Sequence, residues 1–150
     1  QNVPSGNVML FNRALLDLAR PLPARAVMHD HWIALVAAAF GKIVFLDEPT
    51  LLYRQHQSNV FGAAHYSLSF FIRKLFQGRS ALQNRFNRNM RQGAAFLERF
   101  GDRLSPEDRA MLRDFANMEA MGFFAKRRAI VRRGFWKHGL LRNLGMLLFL

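Results

Sequence analysis

The sequence predicts an α/β chain that is mostly α, and three observations carry that expectation. Short apolar runs of strand length occur at Val8–Phe11, Lys42–Leu46 and Leu51–Tyr53, all within the first 65 residues. Between the first two of them, Ile33 to Phe40 is apolar almost all round, as in a helix that must be covered on every side. From Tyr66 on, apolar residues recur at i, i+3, i+4 and i+7 with arginines between them, which predicts a tail of about four helices. Charge balance and period both change near Gly62–Tyr66. The chain is therefore expected to divide into 1–65 and a basic helical region, 66–150.

The elements follow from local signals. Pro4, Ser5 and Gly6 make a loop before Val8, and Asn12 is placed to cap a helix carrying Leu15, Leu16 and Ala19, which Pro21 and Pro23 end. Asp30 opens the next helix, where a carboxylate meets unpaired backbone N–H groups, and Gly41 stops it. Asp47-Glu48-Pro49 reads as the turn between the second and third apolar runs. In the tail, Leu68, Phe71, Ile72, Leu75 and Phe76 predict a first helix that ends at Gly78. Ser80 with Gln83 forms a capping-box pattern for a second, with the apolar line Leu82, Phe86, Met90, Ala94 and Leu97. Its opposite face carries Arg85, Asn87, Arg88, Arg91 and Gln92. Gly101 closes that helix, and Ser105-Pro106-Glu107-Asp108 starts a third with a buried line at Met111, Leu112, Phe115 and Met118.

Composition narrows the function classes. With 150 residues and 51% apolar content the chain has enough material for a packed core, and without cysteine it offers no disulfide, thiolate metal site or cysteine nucleophile. No charged and apolar leader of the secretory kind is expected at its start. Residues 1–65 hold five Lys/Arg against four Asp/Glu, whereas residues 66–150 hold seventeen against six, so nearly all of the +12 net charge lies in the second half. Such a field suits a polyanionic neighbour. After Glu119 no acid occurs, and basic residues from Lys126 to Arg142 interleave with Phe123, Phe124, Phe135 and Trp136. That composition suits an anionic membrane surface contacted through 123–150, or equally a face that docks on a missing part of the protein. The apolar run Leu144–Leu150 is too short to span a bilayer, which takes about 20 residues.

The chemistry-bearing residues concentrate between Met28 and His56. Asp30 can serve as a helix cap or, facing a bound hydroxyl, as a proton acceptor. Trp32 can be core or a stacking face for a sugar ring. Arg54 can pair with Asp47 or Glu48 or lie beside a diphosphate. His56 can be a hydrogen-bonded surface residue or hold a metal or a diphosphate oxygen.

The order His29-Asp30-His31-Trp32, helix, Gly41-Lys42-Ile43-Val44-Phe45-Leu46-Asp47-Glu48-Pro49, then Tyr53-Arg54-Gln55-His56 and Asn59-Val60 before Gly62 resembles the C-terminal half of bacterial family 2 glycosyltransferases, rhamnosyltransferase-like members in particular. The similarity covers Asn2 to about Ala63. The resemblance implies the C-terminal portion of a GT-A core, with short strands and a helix, followed by the helical tail. It implies an inverting transferase that moves a sugar, rhamnose being suggested, from a nucleotide-sugar donor to a glycan acceptor of the bacterial surface. Asp30 would be the general base, His29 and Trp32 acceptor contacts, Arg54 a diphosphate contact, and His56 a ligand to a divalent metal, Mg or Mn. His31 stands where the family usually carries an aromatic residue.

The donor-side features of such an enzyme are missing from the sequence. None of the six aspartates lies two residues from another, so no Asp-x-Asp metal motif occurs, and there is no Gly-rich phosphate loop. The resemblance thus implies an acceptor-side part, inactive without a donor-binding N-terminal domain. The expected location is cytoplasmic, peripheral on the inner face of the cytoplasmic membrane. Two other classes remain open at this point. One is a helical nucleic-acid-binding or interaction module, disfavoured because most aromatics fall on the apolar lines of their helices. The other is a metal phosphohydrolase built on the His29-Asp30 pair.

Overall fold

The computed structural model describes residues 5–52, 54, 79–136 and 139–149. The expected helix over residues 66–78 and the loop containing His56 lie outside them. Six helices are described: α1 (Arg13–Ala19), α2 (His29–Phe40), α3 (Arg79–Phe100), α4 (Pro106–Ala116), α5 (Phe123–Arg133) and α6 (Leu140–Phe149), with short 3-10 turns at Gly101–Arg103 and Asn117–Ala120.

Local signals set most of these boundaries. The Asn12 side chain accepts from Leu15 N–H at 3.0 Å, satisfying one of the free donors at the start of α1. Ser105 caps α4 by accepting from Asp108 N–H at 3.0 Å, with Pro106 in the first turn. Gly41 N–H closes α2 on the Ala37 carbonyl at 2.9 Å. α5 ends at Gly134, whose left-handed φ of 68° explains a glycine there.

α3 is the 22-residue spine. Its last turns supply Phe96 and Phe100 to a core shared with Ala19, Trp32, Ile33 and Val36, and its earlier turns supply Phe86 and Met90 to a second core with Met118, Ile130 and Met146. The first core therefore joins residues from both sides of the expected division near Gly62. Rings dominate it: Trp32 meets Phe96 edge-on at 5.4 Å, and Phe96 and Phe100 lie 4.9 Å apart. Each fully buried large side chain contributes about 1.5–3 kcal/mol. Where α3 crosses α4, a Cβ on Gly93 would come within 3.1 Å of Phe115 Cδ1, a tight contact that the ring would have to ease by a few tenths of an ångström.

The expected mixture of short strands and helix is corrected. Among the described residues there is no strand. Val8–Phe11, Lys42–Leu46 and Leu51–Leu52 are neither helical nor laddered, and their side chains largely face solvent, with Leu52 100% exposed. β-branched and aromatic composition favours a pleated surface only where a neighbouring strand takes up the backbone hydrogen bonds, and none does so here. The expectation that α2 is covered all round also fails. One side packs on α1 and α3, while Ala38 and Ala39 are exposed. The apolar line of α3 drifts as well: Ala94 and Leu97 are half-buried, and Phe86, Met90, Gly93, Phe96 and Phe100 are buried. Steps of four alone overrun a 3.6-residue turn, so steps of three must alternate with them.

Candidate functional site

Two of the candidate residues, His29 and Asp30, lie at the head of α2. The turn at residues 5–8, closed by Val8 N–H on the Ser5 carbonyl at 3.0 Å, lays the Gly6 backbone against it. Asp30 is 6% exposed, and its two carboxylate oxygens are held separately. Oδ2 accepts from Gly6 N–H at 3.1 Å and Oδ1 from His31 N–H at 2.8 Å. His29 is exposed, and a Cβ on Gly6 would lie 2.5 Å from its Nε2, so the imidazole borders the same turn. His29, Asp30 and Gly6 thus form one cluster at the positive end of a helix.

Trp32 is elsewhere. It is fully buried, its Nε1–H donates to the Ala19 carbonyl at 2.9 Å, and Phe96 and Phe100 lie against its ring. A stacking platform for a sugar needs a ring face open to solvent. This ring has none, and Trp32 is a core residue that holds α2 to α1. Arg54 is exposed at the end of the extended segment. His56 lies outside the described residues. Among the described residues no group of three or more His, Asp or Glu is gathered to hold a metal.

The site's position depends on a row of polar residues, two of which, Arg88 and Gln92, the sequence pattern placed on the face opposite the apolar line. Gln92, expected on the outer face of its helix, is buried, and its Oε1 accepts from Val27 N–H at 2.7 Å. Arg88 donates to the Val27 carbonyl at 3.3 Å. Arg99 donates to the carbonyls of Leu18 at 3.0 Å, Ala19 at 3.3 Å, Pro21 at 2.5 Å and Arg20. Residues 88, 92 and 99 share one helical face, and together they bind the backbone of 18–27 that leads into His29-Asp30. Arg99 also supplies positive charge at the C-terminal end of α1, where unpaired carbonyls concentrate negative charge. The signal available in the sequence was the i, i+4, i+11 spacing of these hydrogen-bonding side chains around Ala95.

A cleft of about 270 Å³ lies between residues 24–27 and α3, lined by Arg25, Arg88 and Arg91 among others. None of His29, Asp30 or Trp32 lines it. Two of its arginines face carboxylates, Arg25 that of Glu98 and Arg91 that of Glu119 at 3.7 Å.

Compared with protein-family models, with curated proteins and with solved structures, the chain finds no match. Among the described residues no helix is long and apolar enough to cross a membrane.

Proposed function

We propose that this chain is the acceptor-side part of an inverting glycosyltransferase that uses a nucleotide-sugar, with Asp30 as its general base. The observation that carries the reading is the fixed carboxylate of Asp30 within the His29-Asp30-His31-Trp32 motif, held at the head of α2 by two backbone N–H groups beside an exposed imidazole. A base must be oriented before the acceptor arrives, and these two hydrogen bonds restrict its rotation.

In the reaction proposed, the acceptor hydroxyl oxygen forms a bond to the anomeric carbon as the bond from that carbon to the donor diphosphate breaks. The hydroxyl proton passes to the Asp30 carboxylate, and the nucleoside diphosphate leaves from the opposite face, which inverts the configuration. Arg54 would stabilise the charge growing on the diphosphate. His29 would contact the acceptor. The rest of the donor site would lie in another part of the enzyme. Rhamnose is the sugar that the family resemblance suggests, and the cytoplasmic side of the membrane is the location that its nucleotide-sugar donor favours.

A second reading has support from the same hydrogen bonds: Asp30 ties the 5–8 turn to α2 and has no chemical role. Asp30→Asn in the intact enzyme separates the two. As a base, Asp30 accounts for roughly a 10²–10⁴-fold share of the rate, so the variant should lose transfer by that factor while still binding donor. Transfer at the parental rate, or a loss that only follows a fall in the folded fraction, leaves the tie alone standing.

A further inference from the structure

The second core divides the apolar residues of the basic tail into two sets. Ile130 is fully buried in it and Phe135 packs on it, so the expected amphipathic stretch is anchored through these two side chains. Arg133 fixes the rotation of α5 by pairing with Asp114 of α4 at 2.6 Å. The other side of α5 is turned outward. Phe124 is 83% exposed and Val131, seven residues on, is 57% exposed, so both lie on one stripe with Arg128 between them and Arg132 at its border. Trp136 follows directly and is also exposed. α6 repeats the arrangement, since Leu140 and Leu144 are exposed one turn apart while Met146 is buried.

Two features of this surface point to the same occupant. Residues 120–150 hold seven Lys/Arg and no Asp/Glu, and Arg128 and Arg132 form no ion pair among the described residues. The apolar members are also partly aliphatic. A nucleic-acid platform stacks bases on ring faces and gains nothing from an exposed Val131, Leu140 or Leu144, whereas an acyl boundary accepts all of them.

We infer that the outward side of α5, continued by Trp136 and α6, docks in the plane of an anionic phospholipid surface, with Phe124, Val131 and Leu140 entering the acyl boundary and Arg128 and Arg132 meeting lipid phosphates. The contact is interfacial, as the length and composition of these two helices require. It stands independently of the sugar-transfer reading, because no residue of the Asp30 cluster takes part.

The test is co-sedimentation of the full chain with phosphatidylcholine vesicles, with and without roughly 30% phosphatidylglycerol. The chain should partition onto the anionic vesicles, weakly or not at all onto phosphatidylcholine alone, and less as salt rises from about 0.05 to about 0.5 M. Trp136 fluorescence should shift to shorter wavelength on binding. Phe124→Ser should weaken partition about tenfold, and the double variant Arg128→Glu with Arg132→Glu by at least about twenty-fold, since each basic residue near the surface is worth about fivefold. Both variants alter exposed side chains, and circular dichroism should report unchanged helix content. Equal binding to both vesicle types, or partition indifferent to Phe124→Ser, overturns the inference. Binding of a duplex oligonucleotide at least as tight as that of anionic vesicles, and unaffected by Phe124→Ser, overturns it in favour of nucleic acid.

Discussion

Arginine and aromatic side chains lie side by side in two regions of this molecule and are used in opposite directions. Around the first core, Arg99 sits 5.0 Å from the Phe100 ring and Arg103 4.8 Å from that of Phe40, and the donors of Arg99 go to backbone carbonyls at the end of α1. On α5, Phe124, Arg128 and Arg132 are exposed and the core takes only Ile130. The same residue types therefore rigidify one region and furnish a surface on the other. What decides between them is whether a carbonyl-rich chain end lies within reach. The 18–27 segment supplies one to α3, whereas the carbonyl that Arg127 of α5 reaches at 2.8 Å, that of Phe123, belongs to its own helix.

Substitutions test whether the two regions differ in this way. The largest effect is expected from Trp32→Ala, which removes the central ring of the first core and one of the two donors to the Ala19 carbonyl, Arg99 being the other. It should cost about 3–5 kcal/mol in urea unfolding. A loss under about 1 kcal/mol would mean that the ring is not packed as described. Arg99→Met keeps much of the apolar stem but removes the donors, and should cost about 1.5–3 kcal/mol. The matching change on the outward side, Arg128→Met, should stay within about 0.5 kcal/mol. Equal effects for these two would erase the distinction. Gln92→Leu leaves Val27 N–H without its partner and should cost about 1–3 kcal/mol. Smallest of all, Arg13→Ala breaks an exposed i, i+4 pair with Asp17 at 2.8 Å and should change stability by about 0.5 kcal/mol or less.

Features that depend on a few neighbouring residues were legible in the sequence. Asn12 and Ser105 cap the helices they precede because the hydrogen bond each makes closes within three residues. Features that depend on a distant partner were not. The β-rich run at Ile43–Leu46 carries composition but pairs with no strand among the described residues, and composition alone does not make a strand. Gln92 looked like a solvent-facing residue because its own helix gives no sign of the Val27 N–H, 65 positions away, that draws it inward.

The candidate site divides in the same way. Placing Asp30 in the first turn of α2 needed only the apolar helix that follows. Its hold on Gly6, 24 residues earlier, appears only once the 5–8 turn has folded against α2. Trp32 was read as either core or stacking face, and spacing could not choose. The choice was made by Phe96 and Phe100, contributed by a helix on the far side of the chain's change in charge.

The two tryptophans divide between these regions, Trp32 fully buried and Trp136 exposed. Acrylamide quenching of single-tryptophan variants reads both directly. With Trp136→Phe, the remaining Trp32 should emit at short wavelength and resist quenching, while with Trp32→Phe the remaining Trp136 should be quenched several-fold more readily. Trp32 quenched as easily as Trp136 would contradict the packed core on which the placement of Asp30 depends.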